Sequence, residues 1–329
     1  MLLLDETGYP RKGNQCVGVA HQYCGALGKT ANCQVVVTAD YVDPYFSWPV
    51  AGRLYLPEAW CGDELRRQQA QIPAQLTFQT KPETALDLID HARADGIPFS
   101  MVGADSLYGD NPAFLDGLDE RHLECVVAVA SDFGVRLPAE VAEAAARPLP
   151  AQKKAGRRRT HPHPVQVAPW RRADAVIDSQ PEEGWQTITW RRGSAGVMTK
   201  QFVAVRAQRS HGDITGPEGW LLGERPVPGQ DGERKTYWSS LATHTPLARL
   251  AELAHRRPSI ERTYQDGKGY TALDAYPARL WHSFHRHLVI EMLVLSWLVL
   301  QQPAPESTPI VLEPQPVQSP DEPVFPLWS

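Results

Sequence analysis

The sequence has no long, uninterrupted apolar run. The nearest approach, Leu288–Leu300, is short and carries Glu291, so it reads as a buried helix rather than a membrane span. The opening Met1–Leu4 is far too short for a signal peptide. Cysteine is scarce: Cys16, Cys24, Cys33, Cys61 and Cys125 are odd in number and contain no Cys-x-x-Cys pair. A disulfide framework is therefore not expected, and the thiols read as reduced in a cytosolic protein. Four of them fall early, but their spacing fits no zinc site. An excess of positive charge is also missing. The formal net charge is −5 and the pI about 6.1, which does not advertise nucleic-acid binding. A complete phosphate-binding loop is absent too. GALGKT lacks the glycine five residues before Gly28, where Tyr23 stands, so a hairpin turn is the better account.

What is present is 329 residues with 42% hydrophobic content, enough for two domains or one domain with a large insertion. The average charge hides a gradient. Between Arg147 and Arg209 there are 13 Lys/Arg against 4 Asp/Glu. A local basic tract can supply phosphate contacts while the whole chain is negative. Its densest part, PLPAQKKAGRRRTHPHPV, holds Lys153, Lys154, Arg157, Arg158 and Arg159, with His161 and His163 beside them. It reads as a Pro-rich linker over residues 137–165, either a solvated charge run or a contact to a DNA backbone.

Strands are expected at Met1–Glu6, about Gln15–Tyr23 and about Asn32–Val42, joined through Gly13 and GALGK. Pro57–Gln71 and Lys81–Asp95 read as helices, the second with Ala85, Leu88, Ile89 and Ala92 on one face. Phe99–Ala104 reads as a strand, Asn111–Arg121 as a helix and Glu124–Ala130 as a strand. Residues 166–245 show short alternating runs, WQTITWRR, VMTKQFVAVRAQ, GWLLGERPV and KTYWSSL, which suit a small, mostly antiparallel β insertion. Pro246–His255 resumes helix, and Trp281–Gln301 is expected to be a final helix packed on the core. Residues 302–329 are Pro-rich and expected to be disordered.

Three carboxylates stand out. Asp5 follows the apolar run Met1–Leu4, and Asp105 ends a second run in FSMVGADSLYGDNPAF. Each reads as a carboxylate at the C-terminal end of a short buried strand, where open α/β sheets place their sites. In RRPSIERTYQDGKGY, Pro258 suits a first helical position, and Glu261, Tyr264 and Lys268 recur on one face with Arg257 a turn before. Alone, that face reads more readily as a surface ion-pair ladder, since helices commonly carry such pairs. Two strand-end carboxylates and one on a helix make an oxygen cage suited to hard divalent cations. Glu6, Asp40, Asp43, Asp110, Asp266 and Asp274 read as caps, turn residues or surface groups. His282, His285 and His287 do not share one helical face well enough for zinc.

The segments DETGYPRKG, GADSLYGDNPAFLDGL, WLLGERP and IERTYQDGKGYTALDAYPARLWHSFHRHL, in that order, resemble the DDE transposases of bacterial insertion sequences. The closer likeness is to the group with a Tyr-x2-Arg-x3-Glu-x6-Lys signature. Arg257, Glu261 and Lys268 fit that spacing, and Ala254 stands at the tyrosine position. The resemblance covers about residues 1–301. It implies an α/β fold, an RNase H-like mixed sheet flanked by helices, with a β-rich insertion between the second and third acidic residues. The expected division is a core over 1–136 and 246–301, a linker over 137–165, the insertion over 166–245 and a tail over 302–329.

The resemblance further implies metal-dependent DNA strand cleavage and strand transfer, with Asp5, Asp105 and Glu261 holding two Mg²⁺ ions, Mn²⁺ being able to substitute. Asp5 would bridge both ions. The DNA would carry transposon terminal inverted repeats, with a separate target DNA, and the chain would act as a homodimer on paired ends, in the bacterial cytoplasm and on the nucleoid. Arg257, Lys268 and Tyr264 would face DNA together with the basic linker, and Trp220 and Trp238 are candidates for stacking on an unpaired base, against the commoner role of a tryptophan as a buried core residue. Members of this group usually carry a further, largely helical N-terminal region, which is not part of this sequence. An inactive DNA-binding relic and another RNase H-like nuclease are the alternatives.

Overall fold

The computed structural model describes residues 1–43, 46–149, 164–193 and 196–301. The basic cluster Lys153, Lys154, Arg157, Arg158 and Arg159, with His161 and His163, lies outside these residues, as does the tail 302–329.

The chain starts in the middle of the fold. In β1 (Leu2–Pro10), Leu2, Leu3 and Leu4 are all buried, the pattern of a strand covered on both faces. β2 (Ala20–Cys24) is shorter and later than expected, because Gly18 (φ +70°) turns the chain just before it. β3 (Lys29–Val42) runs antiparallel to the whole of β1, from Leu2↔Tyr41 to Pro10↔Cys33. β4 (Ser47–Leu54) was not anticipated. Pro49 argues against an interior strand, and the sheet accepts it at an edge, where the β3 register slips between Ala39 and Asp40. The single helix expected at Pro57–Gln71 is split into α1 (Glu58–Cys61) and α2 (Glu64–Gln69), with Asp63 capping the second. α3 (Lys81–Ala94) opens with a complete capping box between Thr80 and Glu83 and buries Ala85, Leu88, Ile89 and Ala92.

β5 (Met101–Ala104) lies parallel to β1 and is followed by α4 (Ser106–Gly109) and α5 (Pro112–Glu120). β6 (Glu124–Val129) pairs parallel with β5. After β7 (Gly134–Arg136), α6 (Pro138–Ala146) forms where a loop was expected. Its Ala-rich sequence and Pro138 in the first turn favour helix in spite of the basic, Pro-rich stretch beyond. Then come β8 (Arg171–Arg172), α7 (Ala173–Asp178), β9 (Gln186–Gly193), β10 (Gly196–His211), β11 (Ile214–Arg225) and β12 (Lys235–Ser239). α8 (Leu247–Ala254), α9 (Pro258–Tyr270) and α10 (Trp281–Leu300) complete the described chain.

The strands of the β-rich stretch do not form a separate sheet. β12 pairs antiparallel with β6, and the order β2-β3-β1-β5-β6-β12-β11-β10-β7-β8, with β4 on β3 and β9 on β10, makes one mixed sheet of twelve strands. Helices flank it on both sides, consistent with the RNase H-like α/β fold. β6 would otherwise present an open edge, and β12 covers it. The strand alternation sorts the faces. Leu2 and Leu4 pack with Ile89, Phe114 and Trp238 on one side. Leu3 and Val42 pack with Ile260 and Tyr264 of α9 on the other, where Leu222 and Phe202 also meet α8.

α10 departs from expectation. Phe284 and Leu288 join the core with Leu54 and Tyr9, but Ile290, Leu293, Trp297 and Leu300 are exposed, so only one side of the helix is packed. By length and composition it is also the one helix among the described residues that could cross a membrane.

Candidate active site

Asp5 does not end its strand, as expected, but sits in the middle of β1. What ends there is its neighbour. β1 and β5 pair through Leu2↔Val102 and Leu3↔Gly103, and β5 stops at Ala104. Two residues further along, Asp5 stands level with Asp105. Asp105 is the N-cap of α4. Its Oδ1 accepts from the Leu107 amide at 3.0 Å, which leaves Oδ2 free to face the site. α9 crosses the face of β1 that carries Leu3, Asp5 and Thr7, and so delivers Arg257 and Glu261.

One guanidinium joins all three carboxylates. Arg257 Nη2 lies 3.1 Å from Asp5 Oδ2 and 3.6 Å from Asp105 Oδ2, and its Nη1 lies 3.1 Å from Glu261 Oε1. The carboxylates grade outward: the Asp5 side chain is 6% exposed, Asp105 27% and Glu261 49%. A ligand therefore reaches the site over Glu261 and Asp105, and an open cleft beside Asp105 is lined by Glu6, Tyr23, Ser106, Leu107 and Asp110. Burial pushes the Asp5 carboxyl up to about 7. Arg257 opposes the shift and Asp105 adds to it. Burial works against the Arg257 charge, but Asp5, Asp105 and Glu261 outweigh it and hold that pKa above its ordinary value.

The donor set is all carboxylate oxygen, the chemistry of hard divalent cations. Three carboxylates against one guanidinium also leave negative charge to be balanced. As the side chains stand, the guanidinium lies among them, and no three acidic, imidazole or thiolate groups are gathered tightly enough to ligate one ion among the described residues. The residues fit a cation on condition that Arg257 gives way.

The remaining expected site residues separate clearly. Lys268 turns from the carboxylates and donates to Thr7 Oγ1 at 2.7 Å. Tyr264 is a correction: it is buried, its hydroxyl 2.6 Å from Thr38 Oγ1, and it fastens α9 to β3 instead of offering a surface to DNA. Trp238 is a second correction. At 2% exposed and packed against Phe133, it is a core residue with no face for a base. Trp220 is partly exposed but engaged, its Nε1 donating to the Ala242 carbonyl and Arg206 lying over its ring.

Among the other acids, Asp40 is no turn or surface residue. It is fully buried. Burial pushes it up to about 7, with Thr263 opposing and Asp5 adding to the shift. Glu6 is likewise partly buried and pairs with Lys81 at 2.5 Å. Its signal in the sequence was faint, since both partners sit among ordinary surface charges. Of the histidines, His285 bonds to the Trp281 carbonyl and the Leu54 amide, and His287 faces Glu291 at 3.7 Å. All five cysteines are free thiols.

A mixed sheet with one carboxylate on a central strand, a second just past the end of its parallel neighbour and a third on a crossing helix suits a class of metal-dependent phosphodiester enzymes. The sequence comparisons identify which. A family model described as DDE superfamily endonuclease matches residues 1–197. The chain belongs to that superfamily, whose endonucleases depend on divalent cations. A probable transposase for insertion sequence element IS701 from Microchaete diplosiphon is 36% identical over 138 residues. The matched stretch is 42% of this chain and 33% of that relative. The family match contains Asp5 and Asp105 and stops before Glu261, which joins them through the geometry above.

Proposed function

We propose that this chain is the catalytic core of an insertion-sequence transposase, cleaving DNA strands and transferring them to a target. The observation that carries the reading is the convergence of Asp5, Asp105 and Glu261 on the single guanidinium of Arg257. Acids distant in the chain, on three different elements, gather at one partly open site. Stability does not call for this, since grouping like charges costs energy.

In this reading Asp5, Asp105 and Glu261 hold two Mg²⁺ ions, with Mn²⁺ able to substitute. When bound, the ions activate the attacking hydroxyl and stabilise the leaving oxygen of an in-line displacement at phosphorus. The residues of the chain orient and balance charge. Asp5, the most buried, anchors the site from the sheet. Asp105 keeps its direction through the cap of α4. Arg257 leaves the carboxylates and turns its charge toward a DNA phosphate, with Lys268 a further cation on the same helix. Lys153, Lys154, Arg157, Arg158 and Arg159 supply backbone contacts from the linker. The substrate is double-stranded DNA with terminal inverted repeats, joined to target DNA by a homodimer on paired ends, in the cytoplasm and on the nucleoid. Residues 1–136 and 246–301 form the catalytic unit, the stretch of 137–165 beyond α6 the linker, and 166–245 the β-rich insertion.

The test is Mg²⁺- or Mn²⁺-dependent nicking of DNA carrying the flanking element ends, by this chain and by its Glu261→Gln variant. Cation-dependent nicking that the variant loses supports the reading. Nicking that survives in the variant removes Glu261 from the site.

A further inference from the structure

A second ionic cluster lies buried on the same face of the sheet, away from the three carboxylates. Its centre is Glu224 of β11, the acid of the WLLGERP segment, at 1% exposed. Its Oε2 accepts from the Tyr237 hydroxyl of β12 at 2.9 Å and lies 2.8 Å from His255 Nε2. Its Oε1 accepts from the Lys200 ammonium of β10. The His255 ring lies flat on Trp190 of β9, with centroids 3.8 Å apart and planes at 15°, and meets Phe202 of β10 edge-on at 5.7 Å. Each of the four strands β9–β12 thus sends a side chain to this one cluster. Burial alone would push the Glu224 carboxyl up, but His255 and Lys200 outweigh it and hold it down at about 2. The acid stays ionised across the working pH range.

The position of His255 gives the cluster its meaning. His255 is the C-cap of α8 and stands two residues before Arg257. α9 begins at that turn without a side-chain cap, and Arg257 is already helical there (φ −54°, ψ −38°). An uncapped helix start needs its direction set from elsewhere. Arg256 helps from one side, donating to the Asp43 carbonyl at 3.0 Å. From the other side, Tyr237 lines a small cavity together with Leu253, Ala254 and Arg257, so the cluster backs directly onto Arg257.

We propose that Glu224, Lys200 and His255 are positioning residues of the active site, clamping the α8–α9 turn so that Arg257 and Glu261 meet Asp5 and Asp105. The inference rests on the reading of those carboxylates as a cation-binding nuclease site. It makes the β-rich stretch an arm that orients the third acid as well as an extension of the sheet. Such outer supports of a metal site are worth about 10-fold or more in affinity or turnover when removed.

The test uses the full chain and two measurements, calorimetric Mn²⁺ binding without DNA and the kinetics of nicking. His255→Phe keeps an aromatic ring against Trp190 and deletes the contact with Glu224; His255→Gln restores a polar group beside Glu224. The expected result for His255→Phe is a melting temperature close to wild type, Mn²⁺ binding weaker by about 10-fold, and a fall in kcat with KM for DNA held. His255→Gln recovers most of the Mn²⁺ affinity. Unchanged Mn²⁺ affinity in a folded His255→Phe protein overturns the proposal. So does a loss that follows only the unfolded fraction and that His255→Gln does not restore. Lys200→Gln, at a partly exposed position, carries the same expectation at smaller amplitude and decides the matter if His255→Phe does not fold. Wild-type protein that binds Mn²⁺ but nicks no DNA would overturn the nuclease reading, leaving the titration to judge the positioning role. Wild-type protein that binds no Mn²⁺ overturns both.

Discussion

Arg257 and a divalent cation compete for the same oxygens, and that competition is the central feature of the site at the scale of single residues. Removing the guanidinium leaves three carboxylates facing one another, so Arg257→Ala should bind Mn²⁺ more tightly without DNA, by about 10-fold or more, since a unit charge about 4 Å away is worth about 1 kcal/mol in water and about 4 kcal/mol near a protein surface. The same variant should nick DNA poorly. Calorimetry beside the nicking assay checks both halves; equal or weaker Mn²⁺ binding would show that Arg257 organises the acids rather than competing for them. Asp40 gives a cleaner electrostatic case. Its folded pKa is raised from 3.8 to about 7 by burial, with Thr263 opposing. A carboxyl raised on folding stabilises the fold fully below its unfolded pKa, and that contribution is lost as pH rises through the folded value. Asp40→Asn should therefore gain stability over wild type by a few kcal/mol at most at pH 8, the gain shrinking between about pH 7 and pH 4. Denaturant melts at three pH values would show the trend; a gain independent of pH would mean that the carboxyl is not titrating.

At the scale of elements, α4 illustrates how the fold aims a side chain. A Cβ at Gly109 would stand 2.0 Å from the Ala128 carbonyl oxygen of β6, so α4 lies against that strand only because residue 109 is glycine. Gly109→Ala should cost about 3 kcal/mol or more, at the upper end of overpacking, and shift Asp105 as well. Thermal melts would reveal this, and a variant as stable as wild type would mean that α4 can lift away freely. Asp105→Asn separates the two duties of Asp105. Asparagine caps a helix about as well as aspartate, so stability should hold while cation-dependent nicking is lost. The register between β1 and β5 was hidden in the sequence. The strand-end position of Asp105 could be read from its apolar run, whereas Asp5 looked like a strand end only because the chain turns polar after Leu4. β4 was missed because proline and glycine disfavour strands locally, and its edge place with a β3 irregularity is a tertiary accommodation.

At the scale of the molecule, the continuous twelve-stranded sheet should make the described residues unfold together. Trp238 lies in the core on β12, beside β6, and Trp60 lies in a second core cluster below β4. Urea unfolding followed by far-UV circular dichroism and by tryptophan fluorescence should give coincident curves; a separate early transition would mark the β-rich stretch as an independent unit. The sequence by itself determined the class of chemistry, through the order of segments that resemble DDE transposases. Strand and helix periodicity placed carboxylates after buried apolar runs and set Arg257, Glu261 and Lys268 in spacing, but by itself it favoured a surface ion-pair ladder. Only the tertiary structure decided which of the aligned residues meet. Burial removed Tyr264 and Trp238 from the surface, drew Lys268 to Thr7, and left Arg257 as the shared partner of all three acids. It also gave Glu224 and His255 a common site, although they lie on separate elements with nothing in their spacing to link them. Such contacts depend on how sheet faces and helix directions close on one another in three dimensions, and one-dimensional spacing does not encode that closure.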